Sequence, residues 1–252
     1  MAADTSALAG PASCVVPTRK GRDLLELAVG YGLILSVIWT PRPWQRGLYW
    51  VAILWMVVIT CFSFDGWSEM GFRVSRPMRS SWVIGVALLI AFIAVIVAGR
   101  YSPLQLPGGT GLVRRYWFYA IWAFAQQFLL LDFVLLRLLR LLSEIRLAVF
   151  AAAALFALAH VPNPILTPLT FIWGLAACLL FLVYRNLYTL GIAHAILGIC
   201  VAIAVPGSVD HNMRVGLGYL TYRPHRQHHR NQKDHIVSTE AWVMAEAPTR
   251  RS

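Results

Sequence analysis

Apolar positions in this chain come in long unbroken runs, not at the one-in-three or one-in-four spacing of a surface helix. Seven stretches stand out: Leu24–Trp39, Gly47–Phe64, Trp82–Gly99, Arg115–Leu142, Arg146–Val161, Ile165–Tyr184 and Leu187–Pro206. Most reach the ~17–25 residues that cross a ~30 Å hydrocarbon core. Residues 84–97 read IGVALLIAFIAVIV, without the apolar–polar alternation of a lipid-facing barrel strand. Backbone amides in lipid must pair within their own segment, so such runs predict helices. The expected fold is all-α: a polytopic transmembrane helical bundle of about seven spans, in an integral, multi-pass membrane protein (of the cell membrane if prokaryotic).

Punctuation between the runs predicts the organisation. Residues 1–22 form a tail with no basic residue ahead of an apolar core, so the first run is expected to serve as an uncleaved signal-anchor. Residues 23–99 hold three accessory helices whose apolar character is broken mainly by Glu26. The linker 100–115 contains Pro103, Pro107 and the pair Gly108-Gly109, which mark a loop and a subdomain boundary. Residues 100–206 then form a four-helix core, and 207–252 a basic tail holding five of the seven histidines.

Composition agrees with a lipid environment. Of 252 residues, 58% are apolar and 13% charged, against about 25% charged in a soluble domain. The net charge of +11 suggests nucleic acid at first sight. The basic residues, however, flank the runs, as in Arg19/Lys20/Arg22, Arg73/Arg76/Arg79 and Arg140/Arg146, where headgroups lie. Membrane lipid is therefore the expected partner, and nucleic acid is not. Both sides carry basic loops, so charge does not orient the bundle. The cysteines Cys14, Cys61, Cys178 and Cys200 are scattered and read as small buried hydrophobes.

Polar residues inside apolar runs are costly and mark functional candidates. The fourth run, WAFAQQFLLLDFVLLRLLR, carries Gln126, Gln127, Asp132 and Arg137. The fifth ends at His160, before Pro162 and Pro164, and the seventh holds His194 in mid-run. Gln126, His160 and His194 are separated by 34 residues and again by 34, which allows them to meet at one depth. Each also has a plainer reading, as an interhelical hydrogen bond or a satisfied core histidine.

Phe156-Ala-Leu-Ala-His160, followed by His194-Ala-Ile-Leu-Gly198, resembles the second and third motifs of the CPBP intramembrane proteases. That family includes the type II CAAX prenyl endopeptidases and bacteriocin self-immunity proteins. The resemblance covers roughly residues 115–205. The family's first motif, Glu-Glu-x-x-x-Arg, can be placed on Asp132 and Arg137 or on Gln126-Gln127. The second placement gives the better gap to His160 and sets Gln126 and Gln127 where the family has glutamates, with Leu131 in place of its arginine. The resemblance implies that Gln126, Gln127, His160 and His194 are the catalytic set, activating water and stabilising an oxyanion. A Gln amide holds a water but takes no proton, and Gly198 offers no donor where the family has Asn. His160 itself is then the available base, and Asn163 an alternative donor. Asp132, six positions beyond Gln126, does not share its face on an α-helix.

The tail motif His225-Arg-Gln-His228-His229 has the form of a di-iron histidine box, but no second box accompanies it. Flanking arginines favour a headgroup-facing tail, so neither a cofactor nor a bound metal is expected. The favoured function is an intramembrane endopeptidase, of reduced or altered activity, hydrolysing a membrane-associated or lipidated peptide. The alternatives are a non-catalytic binding or immunity-type relative and a metal-dependent lipid-modifying enzyme.

Overall fold

The computed structural model describes residues 19–63, 66, 70–72, 79–106 and 111–223, with 111–115 by backbone alone. The chain divides into two units, residues 1–221 and 222–252, and every described helix belongs to the first. The elements are α1 (Arg19–Trp39), α2 (Arg42–Phe62), α3 (Trp82–Tyr101), α4 (Gly111–Phe128), a π-helical stretch Leu129–Leu135, and α5 (Leu136–Leu141). There follow α6 (Ile145–Leu158), α7 (Leu166–Tyr184), α8 (Leu187–Ala204), α9 (Gly207–Asp210) and α10 (Gly216–Leu220). Each of the seven apolar runs forms a helical rod, the fourth being α4, the π-helical stretch and α5 end to end. The described residues contain no named strand, only an isolated antiparallel bridge between Phe72 and Asn186. The all-α bundle is therefore observed.

Five rods are long and apolar enough to cross a membrane: α2, α3, residues 116–141, α7 and α8. This is consistent with a membrane protein. The other two differ for physical reasons. The first two turns of α1 carry Arg19, Lys20, Arg22, Asp23 and Glu26. Helix α6 has only 14 residues, about 21 Å of rise, because Pro162 and Pro164 prevent its continuation.

Packing follows from small residues and from one ionic cluster. Helices α6 and α7 meet through Ala148, Ala152 and Ala153 against Gly174 and Ala177, all but Gly174 fully buried core alanines. A Cβ built on Gly174 would lie 3.1 Å from the Cα of Ala153. Backbone cannot yield as a side chain can, so Gly174→Ala is expected to cost about 1–3 kcal/mol. Thermal unfolding of the purified variant checks this.

The ionic cluster joins α1 to α5. Arg137 donates from Nη2 and Nε to Glu26 Oε2 at 2.8 and 3.1 Å, and Arg22 Nε donates to Glu26 Oε1 at 2.6 Å. Arg140 donates to both oxygens of Asp23 at 2.8 Å. The π-helical turn contributes as well: its loosened hydrogen bonding leaves the Phe133 carbonyl to accept from Arg137 Nη1 at 3.0 Å. Arg137 and Asp132, weighed together from sequence as a carboxylate–guanidinium motif, are thus not paired through their side chains. The Asp132 carboxylate is buried with no hydrogen-bond partner among the described residues.

Helix ends are fixed by side chains. Asn186 Oδ1 accepts from the Thr189 amide at 3.1 Å and caps α8. Asn163 Oδ1 accepts from the amides of Ile165 and Leu166, at 3.0 and 2.9 Å, at the start of α7. Two cysteines fit the expectation of buried hydrophobes, Cys178 and Cys200; Cys61 does not, since it lies on the exposed side of α2. Cys14 lies outside the described residues.

Candidate functional site

Gln126 and Gln127 at the end of α4, His160 just after α6 and His194 on α8 lie together, with the two imidazoles sharing one aromatic neighbour, Phe156. Phe156 packs edge-on against His160 at 5.0 Å and against His194 at 5.9 Å between ring centres. Two rings sharing one neighbour at these distances lie well inside the ~15 Å beyond which no single water-mediated site could join them. Gln126, Gln127, His160 and His194, expected to face a common cavity, do come together, but only Gln126, His160 and His194 line it; Gln127 does not.

The hydrogen bonds fix which nitrogen of each imidazole carries its proton. His160 follows the end of α6, in the turn its prolines create, and its Nδ1 donates to the Phe156 carbonyl at 2.7 Å. A carbonyl only accepts, so Nδ1 holds the hydrogen and Nε2 presents a lone pair. That lone pair faces the Gln126 amide nitrogen, 3.4 Å away.

For His194 the same outcome is reached through Gln127. The Trp173 indole N–H, which can only donate, gives its hydrogen to Gln127 Oε1 at 3.0 Å. This orients the amide, and His194 Nδ1 donates to the same oxygen at 3.1 Å. His194 therefore also carries its hydrogen on Nδ1 and keeps Nε2 as an acceptor. The two glutamines do different work. Gln126 lines the cavity described below, whereas Gln127 is fully buried behind it and spends its oxygen on orienting His194.

Both imidazoles open onto a cavity of about 1640 Å³ whose walls come from α1, α2, α3, α4, α6, α7 and α8. This exceeds the ~300–1,000 Å³ of ordinary small-ligand pockets. Its lining is overwhelmingly aliphatic and aromatic, with Gln126, His160, Thr170, His194 and Asn212 among the few polar groups. An apolar chamber with a small polar focus suits a long apolar chain attached to a polar, reactive head.

The segment after α8 adds Asn212, Met213 and Val215 to the cavity wall. His211, Asn212 and Met213 follow one another at φ of 53°, 56° and 58°. Such left-handed non-glycine residues cost on the order of 1–3 kcal/mol each and need support from their surroundings. Asn163 supplies it. Its Nδ2 donates to the carbonyls of Asp210 and Arg214, at 2.8 and 3.0 Å, on either side of the left-handed turn. All of its hydrogen-bonding capacity is used, and it is completely buried. Asn163 thus holds this segment in place and is not a donor toward the cavity.

Three features were missed from sequence: Trp173 as the group that orients Gln127, Asn163 as a structural clamp, and Tyr119 against Gly198. None has a local signature, because each depends on a partner 46 or more residues away in the chain. Among the described residues no group of three or more His, Cys, Asp or Glu side chains could hold a metal. The tail histidines His225, His228 and His229 lie outside the described residues. No family model, curated protein or solved structure matches the chain.

Proposed function

We propose that the chain is a multi-pass intramembrane hydrolase, an endopeptidase acting on a membrane-associated or lipidated peptide, akin to the CPBP proteases it resembles. The observation that carries this reading is the shared protonation pattern of His160 and His194. Both imidazoles line one apolar cavity with Nδ1–H tied within the protein and Nε2 left as an acceptor, that of His160 facing the Gln126 amide. His160 is the base. A water bridging its Nε2 and the Gln126 amide, in place of their direct contact at 3.4 Å, adds through oxygen to the substrate carbonyl carbon, and the carbonyl electron pair moves to oxygen. One water proton passes to His160 Nε2 and then to the departing amine as the tetrahedral intermediate collapses. A second water donating one hydrogen to His194 Nε2 turns its other hydrogen toward the developing charge.

Gln126 limits the reaction, since an amide orients a water but accepts no proton from it. Gln126→Glu places a carboxylate beside the same nucleophile and is expected to raise turnover of a farnesylated fluorogenic peptide by about tenfold or more. The measurement uses the full chain in lipid nanodiscs, compared with the unsubstituted protein. Peptide cleavage no faster than in empty nanodiscs, for both proteins, overturns the hydrolase reading. A binding-only role is favoured by one observation, that Gln127 is committed to holding His194. It is the reading that would remain if both proteins bind the peptide and neither cleaves it.

A further inference from the structure

The α8 face that carries His194 has a vacancy one turn on, and a phenol fills it. Gly198 is four residues after His194, so the two share a face with their β-positions ~5–6 Å apart. A Cβ built at Gly198 would coincide with the hydroxyl of Tyr119, which reaches across from α4. Any side chain at position 198 would expel that hydroxyl. On its own helix Tyr119 stands seven residues, two turns, before Gln126, which puts both on the same face. Tyr119, Gln126, His160, His194 and Gly198 all line the one cavity. The phenol is half-buried, with its hydroxyl against α8 and the cavity, and among the described residues its hydroxyl has no hydrogen-bond partner.

A neutral phenol is a strong, rigidly placed donor. Here it sits one turn from one imidazole, in a low-dielectric chamber where a donor aimed at developing charge has its largest effect. A purely packing role explains why position 198 is glycine. It leaves unexplained why the ring ends in a polar group with nothing to bond, on a wall of the cavity that the histidines also line.

We propose that Tyr119 is a catalytic hydrogen-bond donor, its phenol O–H seated against Gly198 and donating to the carbonyl oxygen of the acyl group under attack. This rests on the hydrolase reading. When the water oxygen adds at carbon and the electron pair moves to oxygen, the phenol O–H stabilises that oxyanion without giving up its proton. The proton balance remains with His160.

The test uses the full chain in nanodiscs and a farnesylated peptide carrying ¹³C at the scissile carbonyl. Tyr119→Phe is expected to lower kcat about 10²–10³-fold, the cost of one lost oxyanion donor, with KM changed less than twofold. Gly198→Ala, whose methyl displaces the hydroxyl, is expected to lower kcat similarly but to cost little more in the Tyr119→Phe background. A second measurement does not depend on turnover. In the His160→Ala protein, the infrared carbonyl band of the bound peptide is expected at lower frequency than in the His160→Ala/Tyr119→Phe protein. An unchanged kcat in Tyr119→Phe, or a carbonyl band indifferent to the phenol, overturns the proposal. If the unsubstituted chain binds the peptide but cleaves none, the hydrolase reading fails, and the band shift alone decides whether Tyr119 reaches the carbonyl. Failure to bind the peptide at all overturns both.

Discussion

Replacing His160 with alanine is expected to slow cleavage of a farnesylated peptide by about 10²–10⁴-fold, the usual worth of a positioned general base. The effect should fall on kcat, because the apolar chain of the substrate is held by walls that His160 hardly contributes to. Folding should survive. The Phe156 carbonyl that loses its imidazole donor lies in the last turn of α6, and a single lost hydrogen bond costs about 0.5–1.5 kcal/mol. The check is a pair of measurements on one preparation, steady-state cleavage and thermal unfolding. A variant that melts normally and still cleaves at the original rate removes His160 from the chemistry. His194→Ala should act differently. It also strips Gln127 Oε1 of one of its two donors, so a stability loss accompanies any loss of rate.

The largest expected effect on stability is remote from the cavity. Glu26→Ala leaves the Arg137 guanidinium without its counter-charge, at a site where the two side chains are 4% and 5% exposed. Removing one partner of a buried ion pair typically costs about 3–5 kcal/mol, because the remaining charge keeps its desolvation penalty. Phe133 lies under the guanidinium, 4.1 Å from its centre, and softens but does not replace the lost carboxylate. The expected result is a sharp fall in unfolding temperature in detergent at neutral pH. Arg22, whose side chain is 53% exposed, should contribute far less through its own contact with Glu26. The double variant Glu26→Gln/Arg137→Met should recover most of the loss, since neither buried charge then remains. A single Glu26→Ala protein as stable as the original would show that water reaches Arg137.

What the sequence made legible and what it hid divide along physical lines. Helical rods were readable because hydrocarbon imposes a length and forbids unpaired amides, and both requirements leave long apolar runs such as residues 84–97. Ends were readable where proline forces them, as after Leu158. Convergence of Gln126, His160 and His194 followed from equal spacing through whole helices. Rotation of each rod about its axis was not encoded locally, so the partners of polar residues were not readable. Glu26 looked like an isolated acid in a lipid-facing segment, yet it closes on Arg137 across 111 residues. The local winding of the fourth rod was hidden for a related reason, although Asp132 indeed does not line the cavity that Gln126 lines. The π-helical stretch Leu129–Leu135 has no signature in a run whose only polar residue is Asp132. Gln126 and Gln127 looked equivalent in sequence; only the indole of Trp173 separates an amide that faces the cavity from one that serves His194.

The brevity of α6 bears on how a hydrolysis inside a bilayer obtains its water. Starting from the charged turn at Glu144 and Arg146, fourteen residues climb only about 21 Å, short of a ~30 Å hydrocarbon slab. A bilayer meets such hydrophobic mismatch by thinning around the short element, or the protein covers the shortfall with its own backbone. Here the proline turn after α6 is met by the segment after α8: the Val161 carbonyl accepts from the Gly216 amide at 2.9 Å, and Asn163 donates to the carbonyls of Asp210 and Arg214. His160, one residue before Val161, stands at this hydrogen-bonded backbone junction. On the proposed hydrolase reading, this backbone junction beside His160 is where water is expected to reach the site, and the apolar lining of the cavity is where a lipid-soluble reactant is expected to enter.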